Sequence, residues 1–198
     1  CETDFVSKNA DFVAFAQTIA DAAINNNAKS LDELNNTMVK GAKVSDLVND
    51  KLASIGEKIG ITKFERIDAP YVASYIHGAY RIGVLVGLSK EASEAGKDIA
   101  MQIAALNPVA VDAETVPADV IAREKDIALE QLKNDPKMAA KPADMLDKIA
   151  AGKLNAFFKE QTLLAQAFVK DGSKSVGDYL KSVDDGLKVT GFKRVALG

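Results

Sequence analysis

The chain has 198 residues, 47% of them hydrophobic and 27% charged, a balance that fits a folded globular protein of one sizeable domain or two small ones. Its net charge of −3 argues against a general nucleic-acid binder, which needs an excess of Lys and Arg to displace counterions from phosphate. The single cysteine, Cys1, excludes an internal disulfide and points to a reducing compartment, and the longest apolar run, residues 82–88, is far too short to span a membrane.

In chain order, Asn9 is placed to cap a helix in which Phe12, Phe15, Ile19 and Ala23 recur at three- and four-residue steps until Asn25-Asn26-Asn27. Ser30-Leu31-Asp32-Glu33 reads as a capping box. A third helix is expected from Ser45, with Val48, Leu52, Ile55 and Ile59 as its stripe and Gly60 as its left-handed stop.

The period then falls towards two. Residues 61–67 are rich in β-branched side chains and alternate imperfectly. Residues 71–77 alternate better, with Tyr71, Ala73, Tyr75 and His77 on one face and Val72, Ser74 and Ile76 on the other. Gly78-Ala79 is a tight turn into residues 80–88, which predicts a β-hairpin.

A helix over 93–106 follows, stopped by Asn107-Pro108. Two more, over 117–133 and 142–159, are joined by a polar, Pro-containing link at 134–141, the pattern of an antiparallel helical hairpin. Its thin apolar content (Val120, Ile121, Ile127, Ala128 and Leu132, then Met145, Leu146 and Ile149) suits a two-helix protrusion better than a core element. Residues 175–183 read as a short helix and 187–197 as an alternating strand. Helices mixed with a hairpin and a final strand make the fold class α+β.

Covalent chemistry finds no support. There is no GxxxxGK[ST] loop and no GxGxxG after a strand; one cysteine rules out a Cys-rich zinc site, and one histidine a two-His site. His77 has no obvious nucleophile to work with. Asp184-Asp185 precedes Gly186 and reads as a turn on the solvated surface. Neither a metal, nor a cofactor, nor a catalytic residue is expected. Glu2 and Asp4 also stand where a signal peptide would be basic and then apolar.

Cys1-Glu2-Thr3-Asp4-Phe5-Val6, with Asn9 and Phe12, closely resembles the signature of the elongation factor Ts family. That family comprises the bacterial and organellar guanine-nucleotide exchange factors of the translation GTPase elongation factor Tu. Tyr75-Ile76-His77-Gly78 with Arg81-Ile82-Gly83-Val84-Leu85-Val86 resembles the family's hairpin, 98–105 its D/H-I-A-M-x-I/V-A-A helix, and Val189-Thr190-Gly191-Phe192 its closing strand. The resemblance spans essentially the whole chain.

It implies two related α+β subdomains of antiparallel sheet packed with helices: 1–68 carrying the TDF motif, and 69–198 with a coiled-coil hairpin inserted at about 117–159. The family's small N-terminal helical domain and the strand leading into the motif are not matched, so the chain, which starts at Cys rather than Met, is expected to be a truncated core or processed product.

From the residues alone, Phe5 reads as a staple packing on Phe12 or Phe15. The resemblance implies instead that Asp4 and Phe5, flanked by Thr3 and Val6, contact the GTPase, the ring entering an apolar pocket and displacing the elements that hold Mg²⁺ and the nucleotide phosphates. It places His77, with Tyr75 on the same strand face, in that interface too. The function implied is nucleotide exchange without covalent chemistry. The alternative is a scaffold or dimerisation module that binds the GTPase without exchange. The expected partner is elongation factor Tu, with a homodimer or heterotetramer as possible assemblies and neither nucleic acid nor membrane bound directly. The expected location is the bacterial cytoplasm, or an organellar matrix if a targeting segment was removed.

Overall fold

A computed structural model describes residues 1–138 and 140–197 of the chain; Ala139, inside the predicted link, and Gly198 lie outside the described residues. The architecture is α+β, and the chain divides into two units. The first comprises residues 1–67, 76–83 and 195–198, the second residues 68–75 and 84–194.

The first unit begins with a single helical turn, α1 (Asp4–Ser7), then α2 (Ala10–Asn25) and α3 (Leu31–Asn36). Asn9 caps α2 as expected, its Oδ1 accepting from the backbone N–H groups of Asp11 and Phe12. At α3 the reciprocal box shifts by one residue. Ser30 Oγ accepts from the Glu33 N–H, while the Glu33 carboxylate accepts from the Lys29 N–H rather than from that of Ser30.

Two two-residue strands, β1 (Met38–Val39) and β2 (Ala42–Lys43), were not expected. Their turn holds Lys40 at φ 50° and Gly41 at φ 90°, the paired positive φ of a hairpin turn. The pair is too short to show a period of two, and Lys-Gly is a weaker signal than Asn-Gly.

Helix α4 (Val44–Ile55) ends at Gly56, not at Gly60. Gly56 takes φ 79° and returns its N–H to the Leu52 carbonyl, which closes the last turn. Ile59 therefore lies beyond the helix, yet it is buried with Ile19, Ala23, Ala28, Leu34, Val44 and Val48 in the core of this unit.

Residues 61–67, rich in β-branched side chains and imperfectly alternating, form no strand. Their large apolar members Ile61, Phe64 and Ile67 are spaced by three, so they cannot line one face of a strand. Ile61 and Phe64 pack individually on the core, and Arg66 donates to the Ala28 carbonyl.

Strands β3 (Tyr71–His77), β4 (Ile82–Leu88) and β7 (Val189–Ala196) form a three-stranded sheet in the order β3-β4-β7. The alternation of β3 holds as far as Tyr75: Tyr71 and Tyr75 are half-buried and Ala73 buried, Val72, Ser74 and Ile76 are exposed, and His77, assigned to the inner face, is exposed at the strand's end. Tyr80 belongs to the turn, not to the second strand. Gly78, Ala79 and Tyr80 all have positive φ, at 61°, 53° and 70°. At one end of the β4–β7 pair Ser89 N–H donates to the Lys188 carbonyl, and at the other Leu197 N–H donates to that of Arg81, so β7 runs antiparallel to β4.

In the second unit, α5 (Ser93–Leu106) has the expected bounds and buries Ile99, Ala100 and Ile103 completely. Full burial of a side chain like Ile103 contributes about 1.5–3 kcal/mol. Gly96 sets the approach of α5: a Cβ there would lie 2.6 Å from that of Ala73 and 3.1 Å from Leu88 Cδ1.

The helical hairpin is α6 (Ala118–Asn134) and α7 (Ala143–Gln161). Its seam is Ala128, Leu132, Leu146 and Ala150, with Leu129, Met138 and Ile149 alongside. Ile127 and Met145, expected on the apolar stripe, are exposed instead.

A second unexpected small hairpin, β5 (Ala167–Phe168) and β6 (Asp171–Ser175), leads into α8 (Val176–Val183). Around it runs a buried polar network. The Gln102 amide donates to the Gln166 side chain and the Ala167 carbonyl, and accepts from the Val169 N–H. Asp98 accepts from Lys170 and from the Tyr179 hydroxyl, whose ring stacks on Phe168 at 4.1 Å. Asp184 is a turn residue, as expected, accepting from the Gly186 N–H and pairing with Lys90.

Candidate functional site

The TDF segment is neither an extended arm nor a staple but the four-residue helix α1, capped by Thr3. The Thr3 hydroxyl accepts from the Val6 N–H at 3.3 Å and donates to Glu57 Oε2 at 2.7 Å. Glu57 Oε1 accepts from the backbone N–H groups of Glu2 at 2.9 Å and Thr3 at 3.1 Å. One carboxylate therefore gathers three hydrogen bonds from two consecutive residues. These bonds, led by the Thr3 hydroxyl, hold the Glu57 carboxyl below its ordinary value. Glu57 stands where it does because Gly56 turns the chain out of α4.

Adjacent residues on a helix point about 100° apart, and the turn uses that divergence. Val6 is buried, with 8% of its surface exposed, while Phe5 leaves 84% exposed. The residue that anchors the turn is thus Val6. Phe12 and Phe15 pair with each other, ring centroids 6.5 Å apart, and Lys51 Nζ sits 5.4 Å from the Phe15 ring.

Asp4 Oδ1 accepts from Arg81 Nη2 at 2.7 Å, with both side chains about half exposed. Arg81 sits at the end of the β3–β4 turn, where its N–H donates to the carbonyls of His77 and Gly78. Thr3, Asp4, Phe5, Val6 and His77 all belong to the first unit, His77 being exposed at the end of β3. Tyr75, half-buried two residues earlier on that strand, belongs to the second.

Sequence reasoning did not single out Glu57, which lies 54 residues from Thr3. Arg81 appeared in it only as part of a motif. The sole local signal for Glu57 was its place after Gly56. Among the described residues, no group of three or more His, Cys, Asp or Glu is placed to hold a metal ion, and no helix is long and apolar enough to cross a membrane.

The family model described as "Elongation factor TS" matches residues 2–198. Among curated proteins, elongation factor Ts of Christiangramia forsetii is 47% identical over 201 residues, covering all of this chain and 71% of that protein. The Flavobacterium psychrophilum protein of the same name is 43% identical with the same coverage, and that of Psychrobacter arcticus 41% identical, with 65% of its length covered. With the family model spanning nearly every residue and the relatives aligned along the whole chain, this chain belongs to the elongation factor Ts family of translation elongation factors.

Proposed function

We propose that the chain is a guanine-nucleotide exchange factor that binds elongation factor Tu and speeds GDP release by inserting Phe5 into its GTPase domain. The observation that carries this reading is the 84% exposure of Phe5 on a turn whose neighbouring residues are capped, paired or buried. An aromatic ring held out from a fixed backbone costs little side-chain entropy on docking, which suits it to act as an anchor. Asp4 sits beside it and His77 belongs to the same unit; Tyr75, on the same strand as His77, completes the proposed partner-binding set.

The mechanism is differential binding. A ring that fits only the displaced form of the GTPase stabilises that form at the expense of the nucleotide-holding form. The weakening of GDP is then matched by an equal weakening of the factor by GDP. Burying one Phe contributes roughly 1.5–3 kcal/mol, or about ten- to a hundredfold in nucleotide affinity. No covalent step and no cofactor enter. The α6–α7 arm, with its outward Ile127 and Met145, is assigned a docking or dimerising role, within a homodimer or a heterotetramer with the GTPase. The place of action is the bacterial cytoplasm or an organellar matrix.

The test is stopped-flow release of fluorescent GDP from elongation factor Tu. Faster release on adding the chain supports exchange. Binding without faster release supports the scaffold alternative instead.

A further inference from the structure

We propose that Glu57 and Arg81 are positioning residues for Phe5, holding the Asp4–Ser7 turn so that the ring is presented before the partner arrives. This rests on the reading of Phe5 as the inserted residue. A four-residue helix cannot sustain its own conformation, because nucleating a turn fixes more dihedrals than its one or two hydrogen bonds repay. The exposed Phe5 ring, for its part, has little packing to orient it. The orientation must therefore come from bonds made to the flanking residues.

Those bonds lie on the residues immediately before Phe5. Glu57 takes the N–H groups of Glu2 and Thr3 and the Thr3 hydroxyl. Arg81 takes the carboxylate of Asp4. Val6, on the other flank, is buried and sets which face of the turn goes in, while the bonds on Glu2, Thr3 and Asp4 tie that turn to its unit.

Both anchors are fixed where they stand. Glu57 follows the residue that closes α4, and Arg81 has its N–H on His77 and Gly78 and its carbonyl on the Leu197 N–H. All of these groups belong to one unit of the chain. Exposed hydrogen-bonded pairs of this kind add little to global stability, so their strength is better spent on direction than on holding the fold. Without them Phe5 must be ordered during insertion, and binding loses what that ordering costs.

GDP release from elongation factor Tu is measured with the parent chain and with Phe5→Ala, Glu57→Ala, Glu57→Gln, Arg81→Ala and Arg81→Lys, and with Glu57→Ala and Arg81→Ala each combined with Phe5→Ala. Glu57→Ala and Arg81→Ala are each expected to slow promoted release about two- to tenfold, with melting temperatures at most slightly below the parent's. Neither is expected to slow it further once Phe5 is Ala, because a positioning residue acts only through what it positions. Arg81→Lys is expected to restore most of the rate, since the contact is a single N–H to carboxylate bond. Glu57→Gln keeps one acceptor oxygen and is expected to fall between parent and Glu57→Ala.

Parent-like release by the single variants, or an equal loss in the Phe5→Ala background, overturns the positioning role while leaving the inserted ring intact. Parent-like release by Phe5→Ala overturns the ring reading and the positioning role with it.

Discussion

At the residue scale the chain separates groups that hold the fold from groups that are held out of it. Gln102 belongs to the first kind: it is fully buried and uses both ends of its amide, donating to Gln166 and the Ala167 carbonyl and accepting from Val169. Gln102→Leu fills the same space but strands the Val169 N–H and the Ala167 carbonyl. It is therefore expected to cost about 1–3 kcal/mol, read as a lower urea midpoint with unchanged slope. Phe5 belongs to the second kind, and its replacement is expected to leave stability nearly untouched. The contrast between Phe5 and Val6 was not legible from composition, because both are apolar and adjacent. A staple and an outward ring share one sequence pattern, and only the helical turn at 4–7, with its 100° step, decides which residue goes in.

At the element scale, helices with long periodic stripes were legible to within a residue or two. The bounds of α5 follow from Ile99 and Ile103 at a four-residue step and from the Asn107-Pro108 stop. Where competing signals lay close together the reading failed. Gly60 is the expected stop of the third helix, but Gly56, four residues earlier, closes it, leaving Ile59 to reach the core from a loop. The short pairs β1–β2 and β5–β6 are set by turn geometry and by Asp171, which accepts from Ser173 and Lys174; β1, β2 and β5 have two residues each and leave no periodic trace, and the five of β6, Asp-Gly-Ser-Lys-Ser, carry no apolar alternation.

Gly96 is the element-scale residue with the clearest consequence. Its missing side chain lets α5 lie against Ala73 and Leu88. Gly96→Ala would gain helix propensity, but a Cβ at 2.6 Å from Ala73 forces helix and strand apart. Overpacking of this kind costs about 1–3 kcal/mol, so a lower melting temperature is expected despite the better helix former. Ala73→Gly in the same chain is expected to recover part of the loss.

At the scale of the whole molecule, pH dependence follows from the carboxylates that folding holds ionised. Glu57 is held below its ordinary 4.5, led by the Thr3 hydroxyl; Asp178 and Asp184 are held below 3.8, led by the Ser175 hydroxyl and by Lys90 respectively. Asp171 is pulled down to about 2, first by the Ser173 hydroxyl. Each folded value is depressed, so each contributes stability that is present above the unfolded value and lost as pH falls through the folded one. Melting temperature is therefore expected to drop progressively below about pH 4.5, the drop continuing towards pH 2. Asp178 and Asp184 are exposed and Glu57 and Asp171 only partly buried, so screening keeps the effect modest and added salt is expected to reduce it.

Tyr179 acts at the other end. Burial, then its hydrogen bond to Asp98, pushes the phenol up from 10.0 to about 12, so its contribution is complete below pH 10 and lost as pH rises towards 12. Tyr179→Phe is expected to flatten that alkaline loss, as followed by thermal unfolding between pH 9 and 12.

The α+β class and the arm were legible at this scale because the periods of Val120 to Leu132 and Met145 to Ile149 are helical and the link between them is polar. The turn's tethers were not. Glu57 and Arg81 reach Thr3 and Asp4 across 54 and 77 positions, and no local pattern encodes such a meeting.

The central claim is that Phe5 is the group that displaces GDP. Its most direct test is the rate of fluorescent-GDP release from elongation factor Tu at saturating factor, compared between the parent chain and Phe5→Ala. Release about ten- to a hundredfold slower with the variant, at unchanged melting temperature, is the expected result; equal rates for the two would contradict it.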